Sequence, residues 1–413
     1  MRQPKNSRAS GRLGIWLIGA RGQVATCIIA GAAAIRRGLA GTSGLVTALP
    51  ELAGLDLAPL SGLVFGGHEI RPGSLRDSAE MIRERAGSLS AELIRAVARD
   101  LDAADRNIAL GTALGCGPVI RRLAGKRRLL EDGASLTGIV KRLQRDFAAF
   151  RRRERLAHLV VVNVSSTEPV GEAPRAMASL AALRAALAAN RREPNLAAAQ
   201  LYAYAALDAG IPYVNFTPSL ATELPALAEL ALERGLPHAG KDGKTGETLV
   251  KSVLAPLFVA RNLRVLSWEG HNLLGNMDGL VLDDEKSKAV KAASKDTLLR
   301  RILVNSPDLH TRVRIDYCPS VDDWKIAWDF IHFQGFLGTK MSLQFIWQGC
   351  DSMLAAPLVL DLARLVDLAA RRGERGLQTQ LACFFKNPLG ATKHGLGEQF
   401  ADLLAYARAA APA

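Results

Sequence analysis

Over the first 240 residues, apolar positions follow two alternating regimes. Short, nearly continuous apolar runs such as LGIWLI (Leu13–Ile18) and HLVVVNV (His158–Val164) are bounded by glycine or polar turns. Between them lie longer stretches whose apolar residues recur at helical spacing. Runs of the first kind fit strands covered on both faces, as parallel strands are; the second kind fits amphipathic helices. The pattern predicts a strand at Leu13–Ile18, a turn from Gly19, and a small-residue helix from Gln23 to about Gly38, with Arg36 and Arg37 in its last turn. A second buried strand is expected in SGLVTAL (Ser43–Leu49), then two helices across Ser74–Ala104. Helices in SLTGIVKRLQRDFAAF, APRAMASLAALRAALAAN, LAAAQLYAYAALDAG and SLATELPALAELALERG enclose the strands HLVVVNV and IPYVNF. This alternation belongs to a doubly wound α/β domain.

Beyond residue 240 the regime changes. Val313, Ile315 and Tyr317 alternate with Arg312, Arg314 and Asp316, and AWDFIHFQGF and MSLQFIWQ follow without long helices between them. Consecutive strands of this kind predict an antiparallel sheet with one face covered. From Asp351 the pattern is helical again.

Composition narrows the class. Hydrophobic residues are 49% and charged residues 23%, the balance of an ordinary globular protein. Aromatic residues are only 5%, too few for stacking platforms that bind single strands. The net charge of +13 favours anionic partners without naming one. The densest basic cluster, RRRER at Arg151–Arg155, ends a predicted helix, where cations suit the dipole, and no recognition module accompanies it. Nucleic-acid binding is therefore not expected. The five cysteines are scattered with no CxxC pair, which argues against a zinc finger or disulfide framework and fits a reducing cytoplasm. No stretch of 18 apolar residues predicts a membrane helix.

Two features carry candidate chemistry. GARGQVA (Gly19–Ala25) sits where a strand feeds a helix, the place where backbone N–H groups and the helix dipole hold a pyrophosphate. Gly19, Ala20, Gly22, Gln23 and Val24 are its candidate contacts. An acidic partner for a ribose is not evident; LVTALPEL offers only Glu51. The second feature is DEKSKAVKAASKD from Asp284, with Lys286, Lys288, Lys291 and Lys295. Lys291 and Lys295 are four apart, so on a helix they share a face and repel. They fit a solvated stripe or, alternatively, a site for an anion.

GKDGKTGETLVKSVLAPLF (Gly240–Phe258) and HNLLGNMDG (His271–Gly279) resemble two signature blocks of the myo-inositol-1-phosphate synthase family. The lysine segment, DDWKIAWDFIHFQGFLG, DSMLAAPLVLDLARL and FFKNP continue the resemblance in order. Upstream, VNVSSTEP occupies the place of the family's TANTER-like turn and YVNFTPS that of its NGSPQNT-like turn. The resemblance spans nearly the whole chain after residue 10, with the shorter archaeal and bacterial members most similar. It departs at GARGQVA, where longer members have a Gly-richer turn, and at VSSTEP, which lacks the Asn and Arg.

The resemblance implies a Rossmann-like doubly wound parallel sheet with an inserted α+β domain for catalysis and oligomerisation. It implies an NAD-dependent isomerase, an intramolecular lyase, that closes D-glucose 6-phosphate into 1D-myo-inositol 3-phosphate by oxidation, enolisation, aldol closure and reduction. Negative charge develops on substrate oxygen at two stages, and fixed ammonium groups stabilise such charge in a water-poor site. The matching positions are Lys291, Lys295, Lys325 and Lys386, with Asp351 to orient or deprotonate a lysine and Asp323 beside Lys325. Asp242 and Asp278 match residues bordering the cofactor's nicotinamide end, Thr245, Asn276 and Ser352 match further cofactor-binding positions, and Ser165, Ser166 and Thr167 match the cofactor-side turn. Asp278 also fits a simple Asx turn, and Asp351 a helix N-cap. The same resemblance implies a homotetramer in the cytoplasm and leaves a divalent or monovalent cation open, no His/Cys ligand cluster being evident. The expected division is a flexible 1–10, a cofactor domain of 11–248 plus 355–413, and a catalytic and tetramerisation domain of 249–354. A sugar-phosphate dehydrogenase with net redox, or a non-enzymatic NAD- or nucleic-acid-binding protein, are the rival readings.

Overall fold

The computed structural model describes residues 11–169, 171–276, 279 and 298–411. The flexible terminus expected for 1–10 lies outside them. Seven parallel strands form the first sheet: β1 (Leu13–Ile18), β2 (Leu63–Glu69), β3 (Ile108–Leu110), β4 (His158–Asn163), β5 (Tyr213–Asn215), β6 (Pro237–Gly240) and β11 (Gly376–Leu377). Their order, β11-β6-β5-β4-β1-β2-β3, contains the 3-2-1-4-5-6 arrangement of dinucleotide-binding sheets, with one strand added at the β6 edge. The order reverses between β1 and β4, which opens a crevice beyond their carboxyl ends.

Each face of this sheet has its own core. Leu13, Ile15 and Leu17 of β1 pack with the helices Gln23–Arg36, Leu75–Ala86, Ala91–Asp105 and Asp351–Arg371. Trp16 and Ile18, pointing the other way, pack with Leu136–Arg153, Leu180–Ala188, Ala198–Asp208 and Pro225–Glu233. Two-sided burial is why these strands read as continuous apolar runs.

The second sheet joins β7 (Arg264–Leu274), β8 (His310–Tyr317), β9 (Trp324–Gln334) and β10 (Lys340–Cys350) in the order β10-β9-β7-β8. It is antiparallel at β10–β9 and β9–β7, as expected, but β7 and β8 run parallel. The connection between them, residues 275–309, is long enough for the crossover that a parallel pair requires. One face packs on the helix Glu247–Ala260 through Phe258, Trp268 and Ile331. The helix Asp351–Arg371 starts where β10 ends and runs into the core of the first sheet.

One expected strand is absent. SGLVTAL folds into a 3-10 turn, Val46–Ala48, because the N–H groups of Val46 and Thr47 donate to the buried carboxylate of Asp361 on the long helix. The second strand is instead LVFGGHE at 63–69, whose glycine pair looks like a turn. Gly67 is there because a Cβ would lie 2.1 Å from the Leu17 carbonyl oxygen and 2.5 Å from the Ala20 side chain. Glycine lets β2 close against the turn that follows β1.

Candidate active site

The turn after β1 is built for an anion. Gly19 holds φ +84°, and the N–H groups of Gly19 and Ala20 both donate to the carbonyl of His68 on β2 (2.9 and 3.1 Å). A Cβ on Gly19 would meet the Ser165 Cα at 2.9 Å. Gly22 caps the helix Gln23–Arg36 with no side-chain bond, and no acid lies in its first turn, so the positive end of the dipole stays unneutralised. Arg21 does not enter this cradle. Its Nε is 2.8 Å from Asp105, and Ser78 donates to its carbonyl. The arginine braces the turn from behind; the N–H groups of Gly19 to Gly22 are bonded within the protein, so the donors turned toward the crevice are those of the first helical turn from Gln23.

Glu69 ends β2, the position at which sheets of this order carry the acid that the sequence left unidentified. It is 4% exposed and accepts the N–H groups of Arg21 (2.8 Å), Ile70 (2.8 Å) and Arg71 (3.0 Å). Glu51 lies exposed in the 3-10 turn Pro50–Leu52, away from this crevice. Glu69 was missed because the strand that carries it was placed one element too early. An acid closing the second strand is the signal that finds it.

One cavity in this crevice is lined by Gly19, Gly22, Gln23 and Val24 of the turn, by Ser165 and Ser166 after β4, and by Asn276, Asp351 and Ser352. Glu69 and Arg71 line its β2 side, and His68, Cys116, Glu168 and Tyr202 its floor. Ala20 and Thr167 are buried beside the cavity rather than on its wall. Glu168 accepts from the Ala199 N–H (2.8 Å) and the Cys116 thiol (3.3 Å); burial pushes its pKa up to about 7. It was not singled out in the sequence, since an acid in a turn reads as exposed.

The far end of the cavity is organised by Asp323. Its carboxylate accepts from Asn276 Nδ2 (3.1 Å), the Cys350 thiol (3.1 Å) and the Ser352 N–H (3.0 Å). Burial raises its pKa above the usual carboxylate range, while these donors favour the ionised form. Asp323 was expected beside Lys325 and stands there; these contacts also make it the anchor of Asn276 and of the start of the helix Asp351–Arg371. Its carbonyl accepts the N–H groups of Lys325 (3.1 Å) and Asp351 (3.0 Å), so the backbone fixes both residues beside it. Lys325 is 6% exposed. Thr245 Oγ1 donates to Asp351 (2.7 Å), and Lys386 Nζ lies 3.1 Å from Asp242. Asp242 is buried with φ +64°, and its carbonyl accepts the Lys386 N–H, so the pair is tied twice. Lys291, Lys295 and Asp278, with Lys286 and Lys288, lie outside the described residues.

Behind this end sits a buried ionic cluster with no counterpart in the sequence reading. Lys251 lies 2.6 Å from Glu247 and 3.1 Å from Asp329, and all three side chains are fully buried. Trp268 donates its indole N–H to Asp329 (2.7 Å). Asp329 and Lys325 are four apart on β9 and share its inward face, so the cluster ties that face to the helix following Thr245.

Among the described residues, no group of three or more His, Cys, Asp or Glu is placed to hold a metal, and no helix is long and apolar enough to cross a membrane. The five cysteines are unpaired.

The family model described as myo-inositol-1-phosphate synthase matches residues 13–408. Inositol-3-phosphate synthase 1 of Bacteroides thetaiotaomicron is 35% identical over 406 residues, covering 94% of this chain and 91% of that protein. Among solved structures, a myo-inositol-1-phosphate synthase-related protein from Thermotoga maritima matches with a TM-score of 0.78 at 25% identity, over 96% of this chain and 98% of that one. Inositol-3-phosphate synthase from Caenorhabditis elegans matches with a TM-score of 0.85 at 21% identity, over 98% of this chain and 87% of that one, and so supports the fold. With a glycine turn, a strand-end acid and a Lys/Asp cluster on a sheet of this order, and a family match across nearly its whole length, the chain belongs to the myo-inositol-1-phosphate synthase family.

Proposed function

We propose that this protein is an NAD-dependent isomerase that closes glucose 6-phosphate into 1D-myo-inositol 3-phosphate with no net redox. The observation that carries the reading is the continuity of the crevice. A glycine turn and the strand-end acid Glu69 lie at one end; at the other, Asn276, Asp351 and Ser352 line the wall, anchored by Asp323, whose carbonyl also takes the Lys325 N–H. The glycine cradle and uncapped helix fit a dinucleotide, with Gly19, Gly22, Gln23 and Val24 at its phosphates and Glu69 at a ribose.

NAD, held by the turn Gly19–Val24 and by Glu69, would supply the hydride exchange at C5 of the sugar. The chain's own groups manage charge between the two hydride transfers. Once C5 is a ketone the C6 proton is acidic; its removal leaves an enolate that attacks the C1 aldehyde. In this reading Lys325 and Lys386, with Lys291 and Lys295, stabilise the enolate and aldol oxygens and hold the substrate phosphate. Asp242 keeps Lys386 in place, and Asp351 orients or deprotonates a lysine. Asp323 positions, through Asn276 and Ser352, the wall against the nicotinamide; Asp278, Thr245 and the Ser165–Thr167 turn complete the cofactor side.

The domain division follows the sheets: 11–248 plus 355–413 for the cofactor, and 249–354 for catalysis and assembly. We assign the assembly as a homotetramer, supported by apolar side chains displayed on the second sheet and its hairpin, among them Ile346 (72% exposed), Phe336 (86%) and Leu337 (87%). Unpaired cysteines support a reducing, cytoplasmic setting.

Incubation with glucose 6-phosphate and a trace of NAD tests the activity. Cyclitol phosphate in many-fold excess over NAD is the expected product. NADH accumulating one-for-one with product would replace this reading with a dehydrogenase. Light scattering on a sizing column tests the tetramer, and a monomeric mass would remove it.

A further inference from the structure

We propose that Cys350 is a positioning residue for the dinucleotide: its thiol, by donating to Asp323, holds the carboxylate that carries Asn276 and Ser352 on the cavity wall. The inference rests on the dinucleotide reading of the cavity and adds a residue to it. Cys350 ends β10 and directly precedes Asp351 and Ser352, both of which line the cavity. Three consecutive residues bind Asp323 at this junction. The Cys350 thiol donates to Oδ2 (3.1 Å), the Asp351 N–H to the carbonyl (3.0 Å) and the Ser352 N–H to Oδ2 (3.0 Å). Asn276 Nδ2 donates to the other carboxylate oxygen, Oδ1 (3.1 Å).

Asp323 depends on these donors because its surroundings oppose its charge. Burial raises its pKa, and repulsion from Asp351 adds to the rise; Asn276, Cys350 and the Ser352 N–H act against both by bonding the ionised form. Two further titratable groups adjoin it. Cys27, on the helix Gln23–Arg36, has its thiol pushed up by burial and by Asp323. Lys325, on β9, is bonded through its N–H to the Asp323 carbonyl. The Cys350 thiol is itself pushed up to about 12, by burial and then by Asp323, so it keeps its proton and remains a donor at every pH at which the protein works.

Protonation of Asp323 undoes this arrangement, because a carboxylic acid presents a donor where the carboxylate presented an acceptor. A proton on Oδ1 meets the Asn276 amide, and one on Oδ2 competes with the Ser352 N–H. Either way a residue of the cavity wall loses its anchor. The thiol favours the charged form and so defers that loss to lower pH. A thiol is a weak donor, so its removal should displace the titration of Asp323 upward by about half to one pH unit and leave the fold intact.

The test is calorimetric titration of the full-length protein, cleared of bound nucleotide, with NAD across a pH series. The proteins compared are wild type, Cys350→Ala, Cys350→Ser, and Asp323→Asn with and without Cys350→Ala. Glu168 on the cavity floor, at about 7, titrates in the same window in every variant, so affinities are compared between variants at each pH. Cys350→Ala should bind NAD within about twofold of wild type at about pH 8 and about three- to tenfold more weakly at about pH 5, the size of the displaced titration. Cys350→Ser restores a donor and should follow wild type. With Asp323→Asn in place, Cys350→Ala should add no pH-dependent loss. A Cys350→Ala profile parallel to wild type overturns the inference alone, as does a serine variant as impaired as the alanine one, or an acid-dependent loss that persists beside Asp323→Asn. Failure of wild type to bind NAD overturns the cavity reading along with it.

Discussion

Replacing Lys251 with methionine isolates the electrostatics of the buried cluster, because methionine fills nearly the same volume and leaves no cavity. Two carboxylates then remain inside the protein with no countercharge: Glu247, formerly 2.6 Å from the ammonium, and Asp329, formerly 3.1 Å from it. Removing one partner of a buried ion pair destabilises by about 3–5 kcal/mol. The fully buried geometry places this case in that range rather than in the range of under about 1 kcal/mol typical of surface pairs. The urea dependence of a chain this long exceeds the about 1–3 kcal/mol per molar of small proteins, so the unfolding midpoint should fall by roughly half a molar or more at pH 8. The pH dependence gives a sharper check. In the wild type, burial opposes the charge on Lys251, but Glu247 and Asp329 outweigh it and hold the amine's pKa above its ordinary value. Asp329 is pushed up to about 6, chiefly by burial. Without the ammonium the Asp329 carboxyl rises further. A carboxyl whose folded pKa exceeds its unfolded value is stabilised by protonation, so stability is lost as pH rises from the unfolded pKa through the folded one. The penalty of Lys251→Met should therefore be small near pH 5 and complete by pH 8. Adding Glu247→Gln and Asp329→Asn should recover most of it. Urea titrations followed by tryptophan fluorescence, to which Trp268 with its ring centroid 5.9 Å from the Lys251 ammonium contributes, read this out. A penalty below about 1 kcal/mol at pH 8, or one that grows on acidification, would refute the argument.

Lys325→Ala and Lys386→Ala should each lower turnover at least a hundredfold, as loss of a charge-stabilising donor does, with NAD affinity within about threefold of wild type; rapid-quench product assays beside NAD titration separate the two. Asp323→Ala should act on the cofactor side: Asn276 and Ser352 lose their anchor, and NAD binding should weaken about tenfold or more. Unaltered NAD affinity in that variant would assign Asp323 a purely local role. Lys244 is buried against Gln399, and burial lowers its pKa to about 8. A lysine depressed below its unfolded value destabilises the fold while it must be charged, and that cost disappears as pH rises from about 8 through 10.5. The stability of wild type relative to Lys244→Met should therefore increase by about 2–3 kcal/mol between pH 7 and 10.5, checked by denaturant unfolding at both pH values.

The sequence exposed what local pattern controls and hid what distant contacts control. β1 and β4 were legible because burial on both faces leaves an unbroken apolar run, and the helices between them because one face of each is apolar. β2 was not, since its glycines serve a close approach to Leu17 and Ala20, a requirement set by a strand fifty residues earlier in the chain. The misplaced strand then concealed Glu69, so one error of packing became an error of chemistry. Lys251 shows the same limit in reverse. Glu247 and Lys251 are four apart on a helix, the spacing of an ordinary exposed pair. Asp329, from a strand some eighty residues later, turns that pair into a sealed cluster. Alternation along β9 puts Asp329 on the same face as Lys325, yet nothing local distinguishes the acid that anchors the strand from the lysine assigned to the substrate. The difference lies in what each meets: Asp329 meets Lys251 and the Trp268 indole inside the core, whereas Lys325 stands beside Asp323, whose carboxylate reaches the cavity wall through Asn276 and Ser352. A lysine placed at such a junction acts on a ligand only as well as its strand is held. The buried cluster that holds β9 is therefore part of what fixes the geometry of the site.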